Sequence, residues 1–198
     1  MKKIIMIALM AIVTWPAEAQ NTLRENGTLT LQPKIGAGFG YLSGKVDMEP
    51  GAQRKIRTGI VLGVEGEYYA TGWLGIAAGV NYAMQGWKYE APHVTTVTKL
   101  NYINIPLVAN FYPVKGFALK AGVQFGFLLT AKQDEDDWKS NAEKFNFAIP
   151  VGLSYEFRNF VLDARYNFAV SPINKDRTDD NRWRSDLIQL TIGYKFAL

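Results

Sequence analysis

The sequence contains no cysteine and a single histidine, His93. Without cysteine, neither a disulfide framework nor a lipid anchor on a cysteine can form, and stability has to come from burial or from lipid. A long apolar run is missing as well. The stretch Ile4 to Val13 is far shorter than the ~20 residues a membrane-spanning helix needs. A strong charge imbalance is the third absence. The net charge of +4 is too mild to imply a nucleic-acid partner.

The N-terminus explains part of this. Lys2 and Lys3 are followed by the short apolar run, then Trp15-Pro16, then Ala17-Glu18-Ala19 before Gln20. That is the layout of a cleaved secretory signal peptide over residues 1–19. Its removal takes 22 basic and 18 acidic residues to 20 and 17, a net charge of +3. The remainder fits one domain. Residues 20–31 are polar, contain the turn pair Asn26-Gly27, and read as a periplasmic lead-in to a domain spanning 32–198.

What the chain has in abundance is alternation. Phe117, Leu119, Ala121, Val123, Phe125, Phe127 and Leu129 alternate with Ala118, Lys120, Gly122, Gln124, Gly126, Leu128 and Thr130. The same pattern runs through Phe145, Phe147, Ile149, Val151, Leu153, Tyr155 and Phe157. Period two means strands, because successive side chains point to opposite faces of a sheet. Eight such strands can be traced, at about 32–43, 57–69, 73–87, 100–112, 117–130, 145–157, 160–170 and 188–198. Short turns and long polar loops join them in alternation. Each strand is long enough to cross the hydrocarbon layer at a tilt, which takes ~9–11 residues.

The faces settle the kind of barrel. One face is aromatic and branched; the other carries Gly, Ala, amides and single charges. A soluble eight-stranded barrel of the lipocalin or streptavidin kind needs its second face wet and rich in Lys, Glu, Asp and Thr. Here the small residues suit a narrow interior and the bulky ones suit lipid. The fold class is therefore all-β: an eight-stranded antiparallel up-and-down transmembrane β-barrel, preceded by the signal peptide, with both termini periplasmic. Two prolines, Pro106 and Pro150, fall inside strands, and a bulge is expected at each. Gly36, Gly38 and Gly40 resemble a G-x-G phosphate loop only superficially, since no helix follows. They are expected to make room for long side chains from across the lumen.

Tyr102-Ile103-Asn104-Ile105-Pro106-Leu107, together with the closing alternation Ile192-Gly193-Tyr194-Lys195-Phe196, resembles the small outer-membrane β-barrel domain family of Bacteroidetes, labelled PorT-like. In build it is comparable to the OmpA and OmpX barrels. The resemblance implies an outer-membrane location in a Gram-negative cell envelope and no single biochemical activity. Tyr194 and Phe196 are similar to the signal read by the barrel-insertion machinery, an implied partner.

Candidate sites follow from the inward faces and the loops. Lys34, Lys120, Arg165 and Lys195 are balanced by Glu65, Glu67, Glu156 and Asp163. Such charges in a narrow interior must pair, and a packed ionic plug is favoured over a pore or proton path. Asp134, Asp136 and Asp137, with Glu135 between, lack calcium-loop spacing and read as a solvated loop tip. Arg182, Trp183 and Arg184 suit either lipid phosphates or a surface ligand, or else an interfacial anchor like Trp73, Trp87, Phe111 and Phe117. His93 beside Pro92 has no evident catalytic partner. The expected function is a structural or surface-interaction barrel acting through its outer loops, with a filled polar lumen. An accessory subunit of a protein secretion system and a narrow small-solute channel are the alternatives. Expected partners are outer-membrane lipid, lipopolysaccharide and possible extracellular or secretion-system proteins; no enzyme activity, cofactor, metal or nucleic acid is expected.

Overall fold

A computed structural model describes residues 25–45, 51–92, 94–134, 136–176 and 182–198. The expected signal peptide, the lead-in as far as residue 24, His93 and Glu135 lie outside the described residues. Alternating side chains and turn residues produce β1 (Leu29–Lys45), β2 (Gln53–Thr71), β3 (Leu74–Ala91), β4 (Val94–Val114) and β5 (Phe117–Gln133). After a stub, β6 (Asp136–Asp137), come β7 (Phe145–Phe157), β8 (Phe160–Ala169), β9 (Arg182–Tyr194) and β10 (Phe196–Ala197).

Neighbours in sequence pair antiparallel, and β9 returns to β1, which closes an eight-stranded ring. β10 is the end of the same closing strand, because Leu31↔Phe196 keeps the register of Lys34↔Gly193. β6 hangs on the tip of β5. One end of the ring carries the tight turns and both ends of the described chain; the other carries the long connections. They are called the turn end and the loop end below.

The faces are inverted relative to a water-soluble barrel. Ile35, Leu162 and Val80 are 58, 56 and 52% exposed, while Lys195, Arg165 and Glu65 are 2, 3 and 3% exposed. Apolar side chains on the outside and charges on the inside are stable only if lipid is the outer solvent. Aromatic residues bracket the outer band. Trp73 packs on Phe111, and Phe160 on Tyr194, near the turn end; Phe125 packs on Phe145 and Phe147 towards the loop end. On β7, Phe147 and Phe157 are ten residues apart, so at ~3.3 Å per residue and ~40° tilt the band is ~25 Å tall. That matches an outer-membrane hydrocarbon layer. The shortest wall strand, β8, has 10 residues and still crosses it.

Several boundaries differ from those read in the sequence. β1 starts at Leu29 rather than Gln32, because Leu29 and Leu31 continue the outward alternation and pair with Tyr68 and Gly66. The stretch 88–98, expected as a loop, is strand up to a tight tip. Glu90↔Thr95, Tyr89↔Thr96 and Lys88↔Val97 extend the β3–β4 ladder beyond the apolar band. The β-branched run Thr95 to Thr98 favours extension even where no lipid is present. Pro106 and Pro150 make no bulge. Ala78↔Leu107 and Asn81↔Asn104 bracket Pro106 in unchanged register, as Ala121↔Val151 and Gln124↔Ala148 bracket Pro150. A proline lacks only its own donor, and each ring points into the buried interior. The register shifts lie elsewhere, at Ile56/Val61 and Tyr69/Thr71 between β2 and β3, and at Asn101/Tyr102 and Phe111/Val114 between β4 and β5.

The glycine face of β1 also works differently from expectation. A Cβ on Gly40 would lie 2.3 Å from the carbonyl oxygen of Gly86, so this glycine admits the backbone of β3 rather than a side chain from across the lumen. Gly86 has φ +127°, a conformation that side chains disfavour. The guanidinium of Arg57 donates to the carbonyl of Gln85 beside it.

Candidate functional site

The interior has two layers. Towards the turn end, the inward alternation of β1, β2, β5 and β8 places Lys34, Glu65, Lys120, Asp163 and Arg165 in one chain of ion pairs. Arg165 grips Glu65 with both terminal nitrogens, at 2.7 and 2.6 Å. It also reaches Asp163, with Nη2 3.0 Å from Oδ2 and Nε 2.8 Å from Oδ1. Lys34 pairs with Glu65, and Lys120 donates to Asp163 at 2.5 Å. Asn81 adds a donor to Glu65 at 3.4 Å.

A second knot centres on Lys195. Its ammonium donates to Glu67 at 2.9 Å, to the Tyr69 hydroxyl at 2.7 Å and to Glu156 at 3.1 Å. Glu67 Oε1 accepts from Asn110 and from the Tyr112 hydroxyl, both at 2.7 Å. The rings of Tyr69 and Tyr112 are 5.7 Å apart and line the ammonium. Space for these carboxylates comes from the neighbouring strand. A Cβ on Gly75 would lie 2.2 Å from Glu67 Oε1, and one on Gly79 2.6 Å from Glu65 Cγ.

All eight charged residues singled out in the sequence therefore stand in these two knots, four of each sign. Tyr69, Asn81, Asn110 and Tyr112 were not singled out, although each continues the inward alternation of its strand. Every cation of these knots has a carboxylate within ion-pair distance, as buried charges require. Among the described residues, no three acidic or histidine side chains converge as a metal site.

Towards the loop end the lumen is apolar. Leu42, Trp87, Leu100, Tyr102, Leu128, Ala131, Ala142 and Ile173 form a buried cluster, with Trp138 and Trp183 packed on it. Trp138 and Trp183 stack at 6.1 Å, and Trp87 meets both edge-on at 6.4 and 6.3 Å. The two longest connections fold inward to build this cap. Ala142 bridges to Asn174, the Glu143 amide donates to Ile173 O at 2.7 Å, and the Ile173 amide donates to Trp183 O at 2.8 Å. Beside the cap, Leu42, Trp87, Tyr89, Thr96, Thr98, Gln133 and Trp183 line a cavity of about 260 Å³.

The cap bears on two expectations. Trp87 is not an interfacial anchor: it is 3% exposed inside the barrel, because the inward alternation of Asn81, Ala83 and Gln85 continues to it without a break. Asp134, Asp136 and Asp137 are exposed, as expected of a loop tip, but the segment that follows them folds inward, with Ala142 buried and Trp138 packed on the cap. Alternation likewise divides Arg182, Trp183 and Arg184, with Trp183 in the cap and both arginines on the outer face. Of the acidic run, Asp134 pins neighbouring strands: its Oδ1 accepts from the Val97 amide and its amide donates to Val97 O, both at 2.8 Å. Asp136 and Asp137 pair with Gln133 and Lys132 in the ladder. At the closing strand, Tyr194 and Phe196 face outward and pack ring to ring at 4.8 Å.

Residues 19–175 match the family model described as an outer membrane protein beta-barrel domain. No curated protein matches the chain in sequence. Among solved structures, the chain is similar to Ail, the attachment invasion locus protein of Yersinia pestis, at 19% identity and a TM-score of 0.51. That likeness covers 86% of this chain and 99% of Ail. Neisserial surface protein A is similar at 20% identity and a TM-score of 0.55, over 85% of this chain and 97% of that one. The outer membrane protein OprG of Pseudomonas aeruginosa is similar at 12% identity and a TM-score of 0.50, over 87 and 97% of the two chains. At these identities the likeness is one of fold.

Proposed function

Because the chain belongs to the outer membrane protein beta-barrel domain family, we propose that it is a closed, non-catalytic barrel whose loop end faces the cell exterior and serves as an interaction surface. Both termini then lie on the periplasmic side. The observation that carries this reading is the double occlusion of the lumen. Eight paired charges fill one half and a three-tryptophan cap fills the other. A small-solute channel needs a continuous wet path, and the cap interrupts one with apolar side chains. An enzyme needs a reactive group free to act, whereas each buried ionic group here is engaged by an opposite charge. The parts left to meet a partner are the outward faces of the extended hairpins and the loop tips.

Planar-bilayer recording of the refolded full chain tests this. A silent bilayer is expected for a barrel shown folded by its gel mobility. Steady single-channel steps from that same folded preparation would reject the closed-barrel reading.

A further inference from the structure

The hairpins that rise beyond the lipid band have an inner face as well as an outer one. Trp87 points inward into the cap, and Tyr89, two residues further along β3, shares its face. Residues directly opposite in an antiparallel pair also share a face. Thr98 stands opposite Trp87, Thr96 opposite Tyr89, and Gln133 of β5 opposite Thr98. With Leu42 of β1 and Trp183 of β9, these side chains line the cavity of about 260 Å³ beside the cap.

The lining is chemically divided. Its floor is indole and aliphatic, since Leu42 and Trp87 belong to the cap and Trp183 packs on it. Its wall towards the hairpin tips is polar. Thr98 and Thr96 climb β4 about 7 Å apart, with the Gln133 carboxamide beside Thr98. None of the lining residues is charged. The guanidinium of Arg54, opposite Tyr89, donates instead to the carbonyls of Leu42 and Gly44, both at 3.4 Å. Such a lining selects its guest. A charged group would lose water there without meeting an opposite charge. A wholly apolar one would strip water from two hydroxyls and a carboxamide. A flat aromatic needs a slot between parallel rings, whereas Trp87 stands edge-on to Trp138 and Trp183, and those two are stacked on each other. A pyranose meets all three conditions. Its C–H face is slightly positive and packs on the electron-rich face of an indole, while its hydroxyls donate to and accept from Thr and Gln. The cavity suits one such ring, being smaller than the ~300–1,000 Å³ sites of drug-sized ligands.

We propose that this cavity binds a single uncharged sugar ring, presented at the loop end as the terminal unit of an external glycan. The proposal deepens the interaction-surface reading and rests on the loop end facing the exterior. Its ring stacks on the cap tryptophans, and its hydroxyls meet Thr96, Thr98 and Gln133. The sugar comes from outside rather than from the barrel's own glycolipid, because the cavity lies on the lumen side of the wall that lipid covers.

The test uses the full chain refolded in an amine oxide detergent, which has no sugar head group. It is titrated with the methyl glycosides of glucose, galactose, mannose and N-acetylglucosamine. Tryptophan emission is expected to shift saturably with at least one of them, with a Kd of about 1 mM, the strength open to so small a ligand. Cyclohexanol, which has a similar ring and one hydroxyl, is expected to bind about tenfold more weakly. Thr98→Val and Gln133→Met keep the bulk of the wall and remove its hydrogen bonds. Each is expected to weaken the glycoside about fivefold while the folded gel band stays in place. Both should strengthen cyclohexanol, a change of sign that loss of packing would not give. Either variant alone carries the test if the other fails to fold. No saturable response to any of the four glycosides overturns the proposal. So does cyclohexanol binding as tightly as the best of them, or a glycoside Kd unchanged by the variants. In phosphatidylcholine vesicles, added lipopolysaccharide is expected to leave the glycoside's Kd unchanged; competition by it would overturn the external source. The conductance result is independent. A conducting barrel that binds the glycoside refutes the closed-barrel reading alone, and a silent one that binds none refutes this proposal alone.

Discussion

Lys195 sits where the closing strand breaks between Tyr194 and Phe196, and its ammonium is the only cation in its knot among the described residues. Glu67 and Glu156 both depend on it. Replacing it with methionine keeps the stem's volume and leaves two buried carboxylates without their counter-charge. Removing one partner of a buried ion pair costs about 3–5 kcal/mol, so Lys195→Met is expected to lose a stability increment of that order. Urea unfolding in detergent micelles, followed by tryptophan fluorescence, measures it; a loss below about 1 kcal/mol would mean that the knot is not a packed unit. Glu67→Gln combined with Lys195→Met is expected to be milder than Lys195→Met alone, because the orphaned charge is reduced.

Among the elements, the β2–β3 pair departs from a plain ladder, with register shifts at Ile56/Val61 and Tyr69/Thr71. Gly86 lies within the first of these shifts at φ +127°, where a Cβ would also lie 2.0 Å from Thr98 O. Gly86→Val is therefore expected to destabilise the barrel, which shows as loss of the folded gel band at lower temperature. This element also marks where reading the sequence succeeded and where it did not. Period two gave the strands and both faces, and it gave each charged residue of the lumen, because pairing of opposite charges follows from confinement alone. It did not give the cap. Trp87 continues the inward alternation of Ala83 and Gln85, but a tryptophan near a strand end looks like an interfacial anchor. Ala142 and Ile173 come from segments with no period, so only the loops' inward folding reveals them. The extended hairpin tips were hidden for a related reason. Polar strand residues outside lipid have no apolar face to betray them, and only the β-branched run Thr95 to Thr98 hinted at extension.

The whole molecule is a wall with lipid as its outer solvent and a filled interior, and both properties are expected to resist detergent at room temperature. An unboiled sample is expected to migrate differently from a boiled one on a detergent gel, with the difference lost only near the thermal midpoint. Identical migration would contradict a closed ring held by the β1–β9 ladder. Thinning the bilayer below ~25 Å is expected to lower the midpoint modestly, since mismatch costs fractions of a kcal/mol per Å.

The long sequence separations inside the ion knots have a consequence for how the barrel is made. Arg165 meets Glu65 across 100 residues, and Lys195 meets Glu67 across 128. Glu67 of β2 thus awaits the cation at the end of the closing strand, and Glu65, already paired with Lys34 of β1, awaits its two-pronged partner on β8. A partly assembled sheet would hold bare carboxylates against lipid, a state the membrane strongly disfavours. Assembly is consequently expected to be all-or-none, with no stable half-barrel before the end of the closing strand brings Lys195 to Glu67.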